Sequence, residues 1–242
     1  MAKKDPKVIA ILTAGGSGTR MNQDIPKQFL TINERPVIIY TLEAFQKHPG
    51  VDEIIVACKE GWANVLEAYA KQFNITKLKY IVQGGETGQA SIYNCLTELE
   101  KHFDGDDIVL IHDGNRPMVS QDIISDCINV TIEKGCAIAA IPCTEVVLKT
   151  SDGIESNTSY KREELRRTQT PHGFHLKDIL KLHRRALKEG MTTAAAACSM
   201  AVDLGEKVYF SAGSEKNLKL TTVEDIEIFK ALLAAKRPDW IK

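Results

Sequence analysis

The chain has 242 residues, of which 43% are hydrophobic and 26% are charged, and its formal net charge at pH 7 is −1. This length is enough to bury the core of one α/β domain, so residues 1–242 are expected to fold as a single domain. A nearly neutral chain is not typical of proteins that bind nucleic acids or membrane surfaces, and neither partner is expected. The first apolar run is broken by glycine too early for a signal peptide, and no other run approaches membrane-spanning length.

In chain order, apolar runs that favour strands alternate with segments of helical periodicity. The predicted strands cover 7–12, 53–57, 79–82, 107–112 and 136–142. The predicted helices cover 36–48, 61–73, 88–102, 120–134 and 226–235. Because the strands are continuous apolar runs, both faces of the sheet are expected to be covered. The sequence therefore predicts a Rossmann-like α/β fold, in which a mostly parallel sheet lies between helices on both faces.

Local signals mark the ends of two of these helices. Ser120 precedes Asp122 and fits an N-cap, and Gly135 follows that helix as a stop signal. Thr222 and Asp225 fit a capping box that opens the last helix.

Six cysteines are spread along the chain without a CxxC pair, and most of them lie inside apolar segments. Such positions favour buried, reduced thiols, and the protein is expected to be cytoplasmic. The six histidines show neither HExxH nor His-x-His spacing, so no structural zinc site is expected.

One long segment, residues 144–171, interrupts the alternation of strands and helices. Residues 146–150 and 153–156 resemble a hairpin around Ser151-Asp152-Gly153, and the remainder is polar. A long excursion from a compact domain is usually functional or part of an interface. We therefore predict a protruding β-arm that packs on another subunit, with a mobile surface flap as the alternative.

The stretch TAGGSGTRM at 13–21 follows the first strand, and Pro26-Lys27 comes shortly after it. A strand followed by a glycine-rich loop aims backbone N–H groups at phosphate oxygens. The loop is not a dinucleotide fingerprint, because Met21 stands where the third glycine is needed. It is not a Walker motif either, because Gly18 is followed by Thr-Arg. The fork of Arg20 and the point charge of Lys27 suit a triphosphate.

Further motifs follow this loop in order: GGETGQAS (84–91), IHDGNRP (111–117), RTQTPHGF (167–174) and NLKLTTVEDI (217–226). With AGGSGTRM and PKQF, they resemble the cytidylyltransferase family that acts on methylerythritol 4-phosphate and ribitol 5-phosphate. The resemblance implies a nucleotidyltransferase domain with the fold of nucleotide-diphospho-sugar transferases. It also implies CTP as substrate and Mg²⁺ or another divalent cation as cofactor.

The resemblance assigns nucleotide contacts to both glycine-rich turns. The triphosphate is expected over a backbone cradle formed by Ala14, Gly15, Gly16, Ser17, Gly18 and Thr19. The cytosine is expected at a second turn formed by Gly84, Gly85 and Glu86, with Ser91 hydrogen-bonded to the base. The catalytic cations are expected to be Arg20, Lys27 and Lys219, the last in a short strand beside the α-phosphate.

The resemblance places the acceptor beside Asp113, Arg116, Thr144 and Arg162. Asp113 is expected to face either the metal ion or the polyol hydroxyls, and a cap on the following turn is its structural alternative. Arg116 either reaches the substrate or braces its loop. The neighbouring His112 is expected to be packed rather than catalytic. Arg162 matches an arginine that family members donate across a dimer, so a homodimer is expected, although a solvated charge run is its structural alternative.

The acceptor region also departs from the family pattern. Val146 stands where methylerythritol enzymes usually carry a substrate-contacting threonine, and Thr144 could substitute from the same strand face. An acidic segment is replaced by TTAAAACS at 192–199, and Gly114-Asn115 replaces a pair of small residues. These departures favour ribitol 5-phosphate or a related open-chain polyol phosphate, converted with CTP to a CDP-polyol and diphosphate. The alternatives are a methylerythritol 4-phosphate cytidylyltransferase of isoprenoid biosynthesis and a non-catalytic nucleotide-binding protein.

Overall fold

The structure is a computed structural model that describes residues 5–16 and 25–235. Its first strands are β1 (Val8–Ala14), β2 (Thr31–Ile32), β3 (Arg35–Pro36), β4 (Glu53–Cys58), β5 (Leu78–Gln83) and β6 (Ile108–Asp113). They are followed by β7 (Cys136–Pro142), β8 (Val147–Lys149), β9 (Thr158–Tyr160), β10 (Arg166–His175) and β11 (Phe210–Ala212). The helices are α1 (Val37–Lys47), α2 (Ala63–Gln72), α3 (Gly88–Leu99), α4 (Gln121–Lys134), α5 (Leu176–Lys188), α6 (Ala197–Asp203) and α7 (Val223–Ala234).

The central sheet has seven strands in the order β11-β7-β10-β6-β1-β4-β5. Neighbouring strands are parallel except at β10, which runs antiparallel to both β6 and β7. Side chains on β1 alternate between two apolar cores: Leu12 packs with α1, α2 and α4 on one face, while Ile11 packs with α3, α5 and α6 on the other. The prediction of a mostly parallel sheet with helices on both faces is therefore confirmed.

The expected helix caps are present. Ser120 Oγ accepts a hydrogen bond from the Ile123 amide at 3.3 Å, and Gly135 adopts a left-handed φ of 88° where α4 ends. At α7, Thr222 Oγ1 accepts from the Asp225 amide at 3.3 Å, and the Asp225 carboxylate accepts from the Thr222 amide at 2.8 Å. These local signals are confirmed because a cap needs only neighbouring residues.

Strand β10 lies outside every predicted strand, and its first residues fall in the segment that the sequence assigned to the arm. Its sequence RRTQTPHGFH is polar, yet Gln169, Thr170 and His172 are buried. The Gln169 amide donates to Ser214 O at 2.8 Å, and Thr170 Oγ1 contacts His112 Nδ1 at 3.0 Å. Partners far along the chain thus make this polar strand stable inside the sheet. β11, α5 and α6 are further elements that no predicted range covers.

Residues 144–165, called the arm from here on, leave the sheet after β7 and return at β10. β8 and β9 pair antiparallel, with Leu148 opposite Ser159. The predicted hairpin is thus real, but its second strand is β9 rather than residues 153–156. Those residues form a wide turn, because Asp152 Oδ1 accepts from the amides of Ile154 and Glu155 at 2.9 and 3.2 Å.

All six cysteines are unpaired and buried, which confirms the prediction of buried thiols. Burial raises the pKa of the Cys58 thiol to about 11 and that of Cys127 to about 12. These thiols are therefore protonated at neutral pH. Within residues 5–16 and 25–235, none of the helices has the length and apolar character needed to cross a membrane.

Candidate active site

A cavity of about 600 Å³ opens where the carboxyl ends of β1 and β6 meet the start of α3. Its walls include Gly15 after β1, Gly85 before α3, and Asp113 at the end of β6. Lys27 and Lys219 reach it from segments far apart in the chain. Ligands of open α/β sheets bind at this edge, because strand ends and helix N-termini converge there.

Gly15, in the described part of the first glycine-rich turn, lies directly against the second turn. The Gly84 amide donates to Cys58 O at 2.7 Å, beside Gly15. A Cβ atom on Gly84 would lie 3.0 Å from Gly15 Cα and 3.2 Å from Cys58 O, both backbone atoms that cannot move aside easily. Glycine is thus required here for close backbone approach. Residues of both glycine-rich segments therefore line the same cavity.

The second turn is held by the first residues of α3. Thr87 Oγ1 caps the helix by accepting from the Ala90 amide at 3.1 Å. Ser91 Oγ accepts from the Gly85 amide at 3.0 Å and donates to Thr87 O at 2.9 Å. Ser91 therefore shapes the turn in addition to lining the cavity. Glu86 is exposed at the cavity edge.

Lys27 begins a 3₁₀ turn, Lys27–Phe29, that packs beside the end of β1. The buried Gln28 amide donates to the carbonyl oxygen of Ala14 and, at 3.4 Å, to that of Gly16. Phe29 stacks on Trp62 with ring centroids 4.6 Å apart. These two contacts keep Lys27 next to the first glycine-rich turn.

Asp113 lies between two cations. Its Oδ2 accepts from Arg116 Nε at 2.9 Å and its Oδ1 from Lys219 Nζ at 3.0 Å. Burial by itself would raise the pKa of the Asp113 carboxyl, but the charges of Lys219 and Arg116 outweigh burial and lower that pKa to about 2. Asp113 is therefore ionised at neutral pH.

Arg116 braces its own loop as well as lining the cavity. Its Nη1 donates to Asn217 O at 2.7 Å, and only 12% of its side chain is exposed.

Lys219, two residues after Asn217, was expected in a short strand, but residues 218–220 belong to no strand or helix. This expectation is wrong because the segment is held by side-chain contacts and by the loop after β6, and not by backbone hydrogen bonds to a neighbouring strand.

Two histidines of the cavity wall, His112 and His172, are buried. His112 is fully buried, packs edge-on against Phe45 and contacts Arg116 O through Nε2 at 3.2 Å. Burial lowers the pKa of His112 and of His172 to about 4, so both are neutral at pH 7. The interpretation of His112 as packed agrees with this structure, and the positive charge at the cavity comes from lysine and arginine.

Two predicted acceptor residues lie outside the cavity wall. Thr144 is exposed and follows the end of β7 at Pro142, so the expectation that it shares the strand face is wrong. Arg162 is exposed on the arm, and its Nε donates to Glu163 Oε1 at 3.1 Å. The remaining predicted residues Ser17, Gly18, Thr19 and Arg20 lie outside the described residues.

Two buried carboxamide side chains near the site were not predicted from the sequence. Gln169 exchanges two hydrogen bonds with the backbone of Ser214, at 2.8 and 3.1 Å. Asn217 is fully buried, and its Nδ2 donates to Thr170 O at 2.8 Å. Both residues stand inside motifs that the sequence singled out, but amide side chains carry no charge that would identify them as functional. They attach the Lys219 segment to β10.

The family described as IspD, 2-C-methyl-D-erythritol 4-phosphate cytidylyltransferase, matches residues 8–235. A ribitol-5-phosphate cytidylyltransferase of Lacticaseibacillus paracasei is 42% identical over 231 residues, which cover 95% of this chain and 99% of that protein. A 2-C-methyl-D-erythritol 4-phosphate cytidylyltransferase of Clostridium novyi is 35% identical over 228 residues, covering 94% and 96% of the two chains. The crystal structure of a 4-diphosphocytidyl-2C-methyl-D-erythritol synthase from Anaerococcus prevotii covers 95% of this chain and 97% of its own, with a TM-score of 0.81 and 25% identity.

Proposed function

The chain belongs to the 2-C-methyl-D-erythritol 4-phosphate cytidylyltransferase family, and we propose that it transfers the cytidylyl group of CTP to ribitol 5-phosphate or a related open-chain polyol phosphate. The products are a CDP-polyol and diphosphate. The observation that carries this choice of acceptor is the 42% identity to a ribitol-5-phosphate cytidylyltransferase over nearly the whole of both chains. The departures at Val146 and at residues 192–199 support an acceptor other than methylerythritol 4-phosphate.

CTP is proposed to lie across the two adjoining glycine-rich turns. The backbone from Ala14 to Thr19 would cradle its phosphates, and Gly84, Gly85, Glu86 and Ser91 would face its base. Backbone amides at such turns and at the start of α3 favour anions. Arg20 and Lys27 complete the phosphate site in this proposal, and the close approach of Gly15 and Gly84 supports a single nucleotide spanning both turns.

In the proposed reaction, an oxygen of the acceptor phosphate attacks the α-phosphorus of CTP in line. The new oxygen–phosphorus bond forms as the bond from the α-phosphorus to the bridging oxygen breaks, and diphosphate leaves with that electron pair. A phosphate monoester has a second pKa of about 6, so it is mainly dianionic at pH 7 and needs no general base. The difficulty is repulsion between anions, which fixed cations reduce. Lys27 and Lys219 border the cavity and suit this role.

The cavity offers a ligand that suits a divalent cation, because Asp113 is an ionised carboxylate at its wall. Mg²⁺ commonly takes one or two carboxylates together with phosphate oxygens and water. Asp113 would be its ligand from the protein, and the ion would neutralise charge on the phosphates. The polyol hydroxyls are the other proposed partner of the same carboxylate. A steeper Mg²⁺ requirement in Asp113→Asn supports the metal role, whereas a raised KM for the acceptor alone supports the hydroxyl role.

We also propose a homodimer formed through the arm. Val146, Leu148, Ile154 and Tyr160 leave 76%, 56%, 89% and 46% of their surfaces exposed, which is unusual for one short hairpin. In this proposal a second copy covers this face, and Arg162 contacts the acceptor phosphate in the partner subunit's cavity, as the family resemblance implies. A monomer in light scattering at micromolar concentration would contradict the dimer. The buried, reduced thiols also fit a cytoplasmic location.

The function is tested by diphosphate release from CTP with a panel of acceptors. We expect ribitol 5-phosphate or another open-chain polyol phosphate to give the highest kcat/KM. A preference for methylerythritol 4-phosphate would instead assign the chain to the activity named for the Clostridium novyi relative. No release with any acceptor, together with binding of CTP, would identify a non-catalytic nucleotide-binding protein.

A further inference from the structure

We propose that Asn115 is a positioning residue that fixes Lys219 through the backbone of Leu220. The proposal rests on the catalytic role given to Lys219 above. Asn115 is 6% exposed and lies in the loop after β6. Its Nδ2 donates to Leu220 O at 2.5 Å, and its backbone oxygen accepts from the Leu220 amide at 2.9 Å. Both polar backbone groups of the residue after Lys219 are thus bound by one asparagine.

These two bonds replace a strand ladder. The segment that carries Lys219 has no regular secondary structure of its own, so its backbone position depends on individual contacts. Asn217 attaches the segment on one side of Lys219 by donating to Thr170 O at 2.8 Å. Asn115 attaches it on the other side. The lysine therefore sits between two amide anchors, which limits how far its backbone can shift.

The loop that holds Lys219 is itself packed against β1. The Gly114 amide donates to Thr13 O at 3.0 Å, and a Cβ atom on Gly114 would lie only 2.7 Å from that oxygen. The same loop starts at Asp113, whose carboxylate accepts from Lys219 Nζ at 3.0 Å. The loop after β6 thus holds both the Lys219 side chain and the backbone of its segment. That loop is in turn held by β1, the strand that leads into the first glycine-rich turn.

The backbone anchor matters most when phosphates are present. Lysine has a long flexible stem, and 41% of the Lys219 side chain is exposed. An arriving triphosphate competes with Asp113 for the ammonium group, so the reach of Lys219 then depends on where its backbone is held. The Leu220 side chain is buried beside Phe229, and this packing should keep the segment folded when the Asn115 amide is removed.

The first test is Asn115→Ala in the full-length enzyme, with Asn115→Leu as a second variant of similar shape. We expect kcat to fall about tenfold, since a small misplacement of a catalytic group has effects of this order or larger. KM for CTP should change by less than about twofold if the loss is confined to the transition state. A kcat equal to that of the unmodified enzyme in either folded variant would overturn the proposal.

The second test asks whether Asn115 acts through Lys219. In a Lys219→Ala background, Asn115→Ala should cause no further loss of kcat, whereas a full additive loss would overturn the proposal. Thr131→Val is the control, because Thr131 Oγ1 donates to Cys127 O at 2.7 Å in a buried bond, and neither residue lines the cavity that Lys219 borders. That variant should keep its kcat and should remain additive with Lys219→Ala.

Hydrogen exchange tests the positioning role of Asn115 separately from the proposed function. Amides of residues 217–222 should exchange faster in Asn115→Ala than in the unmodified protein, and should be unchanged in Thr131→Val. Unchanged exchange in Asn115→Ala would overturn the positioning role whether or not the enzyme turns over. A lack of turnover in the unmodified protein with any acceptor would overturn the proposed function alone.

Discussion

The nucleotide side of the site and the arm are built by different physical means. The nucleotide side consists of strand ends and glycine-rich turns in close backbone contact, and Asp113 is charge-paired on both of its oxygens. The arm has two strands of only three residues each, and it exposes apolar side chains and Arg162. The described residues of the first region take their contacts from within one chain, whereas the apolar side chains of the arm are left uncovered by the described residues. The nucleotide side is therefore the more constrained of the two regions, and we propose that acceptor choice changes through the arm.

The largest expected effect is on the nucleotide side, from Lys219→Ala. We expect turnover to fall about 10²- to 10³-fold, as for loss of one preorganised group that stabilises charge in a transition state. The measurement is kcat from diphosphate release with CTP. Lys216→Ala is the matched control, because Lys216 is exposed three residues earlier on the same segment. If both variants kept near-normal turnover, Lys219 would not be a catalytic residue.

The next effect concerns stability and its dependence on pH. The pKa of Asp113 is lowered to about 2 in the folded protein, so its stabilisation is present above its unfolded pKa and is lost as pH falls through the folded value. Asp113→Asn should therefore lower the free energy of unfolding by about 2 kcal/mol at pH 7, and this difference should shrink from about pH 4 downward. Urea unfolding across pH 7 to 3 measures it. Asp203→Asn, at an exposed acid ending α6, should show a small difference at every pH.

A smaller effect on catalysis is expected from the arm. Arg162→Ala should raise KM for the acceptor about tenfold, the scale of one charge-assisted hydrogen bond to phosphate, with KM for CTP unchanged. Lys161→Ala is the control, because Lys161 is an exposed cation next to it in the chain. Steady-state kinetics with each substrate varied in turn gives both constants. Equal effects on the two substrates would mean that the arm does not serve the acceptor separately.

The smallest expected effect is on KM for CTP, and it is tested by substituting two glycines near the start of α3. Gly84→Ala must displace backbone and should raise KM for CTP about fivefold, since overpacking costs about 1 kcal/mol or more. Gly88→Ala should leave KM unchanged, because nothing lies within 4 Å of the added Cβ. Isothermal titration with CTP gives the same comparison without an acceptor. A larger loss in Gly88→Ala than in Gly84→Ala would argue against close backbone contact as the reason for glycine at 84.

Much of the fold and part of the site could be predicted from the sequence. The strand cores, the caps at Ser120 and Thr222, and the two glycine-rich turns follow from patterns within a few residues. Continuous apolar runs predicted burial on both sheet faces because only covered strands tolerate them. The motifs also placed Lys27, Asp113 and Lys219 at one cavity, through the family resemblance rather than through local pattern.

Other features were decided by tertiary structure alone. β10 is polar, and only the distant partners of Gln169 and Thr170 make its burial favourable. The pairing of Lys219 with Asp113, and its attachment through Asn115, join residues about a hundred positions apart. A sequence determines by itself what depends on neighbouring side chains and on the period of apolar residues. The position of a buried polar group is determined by the partner that satisfies it, and folding brings that partner from elsewhere in the chain.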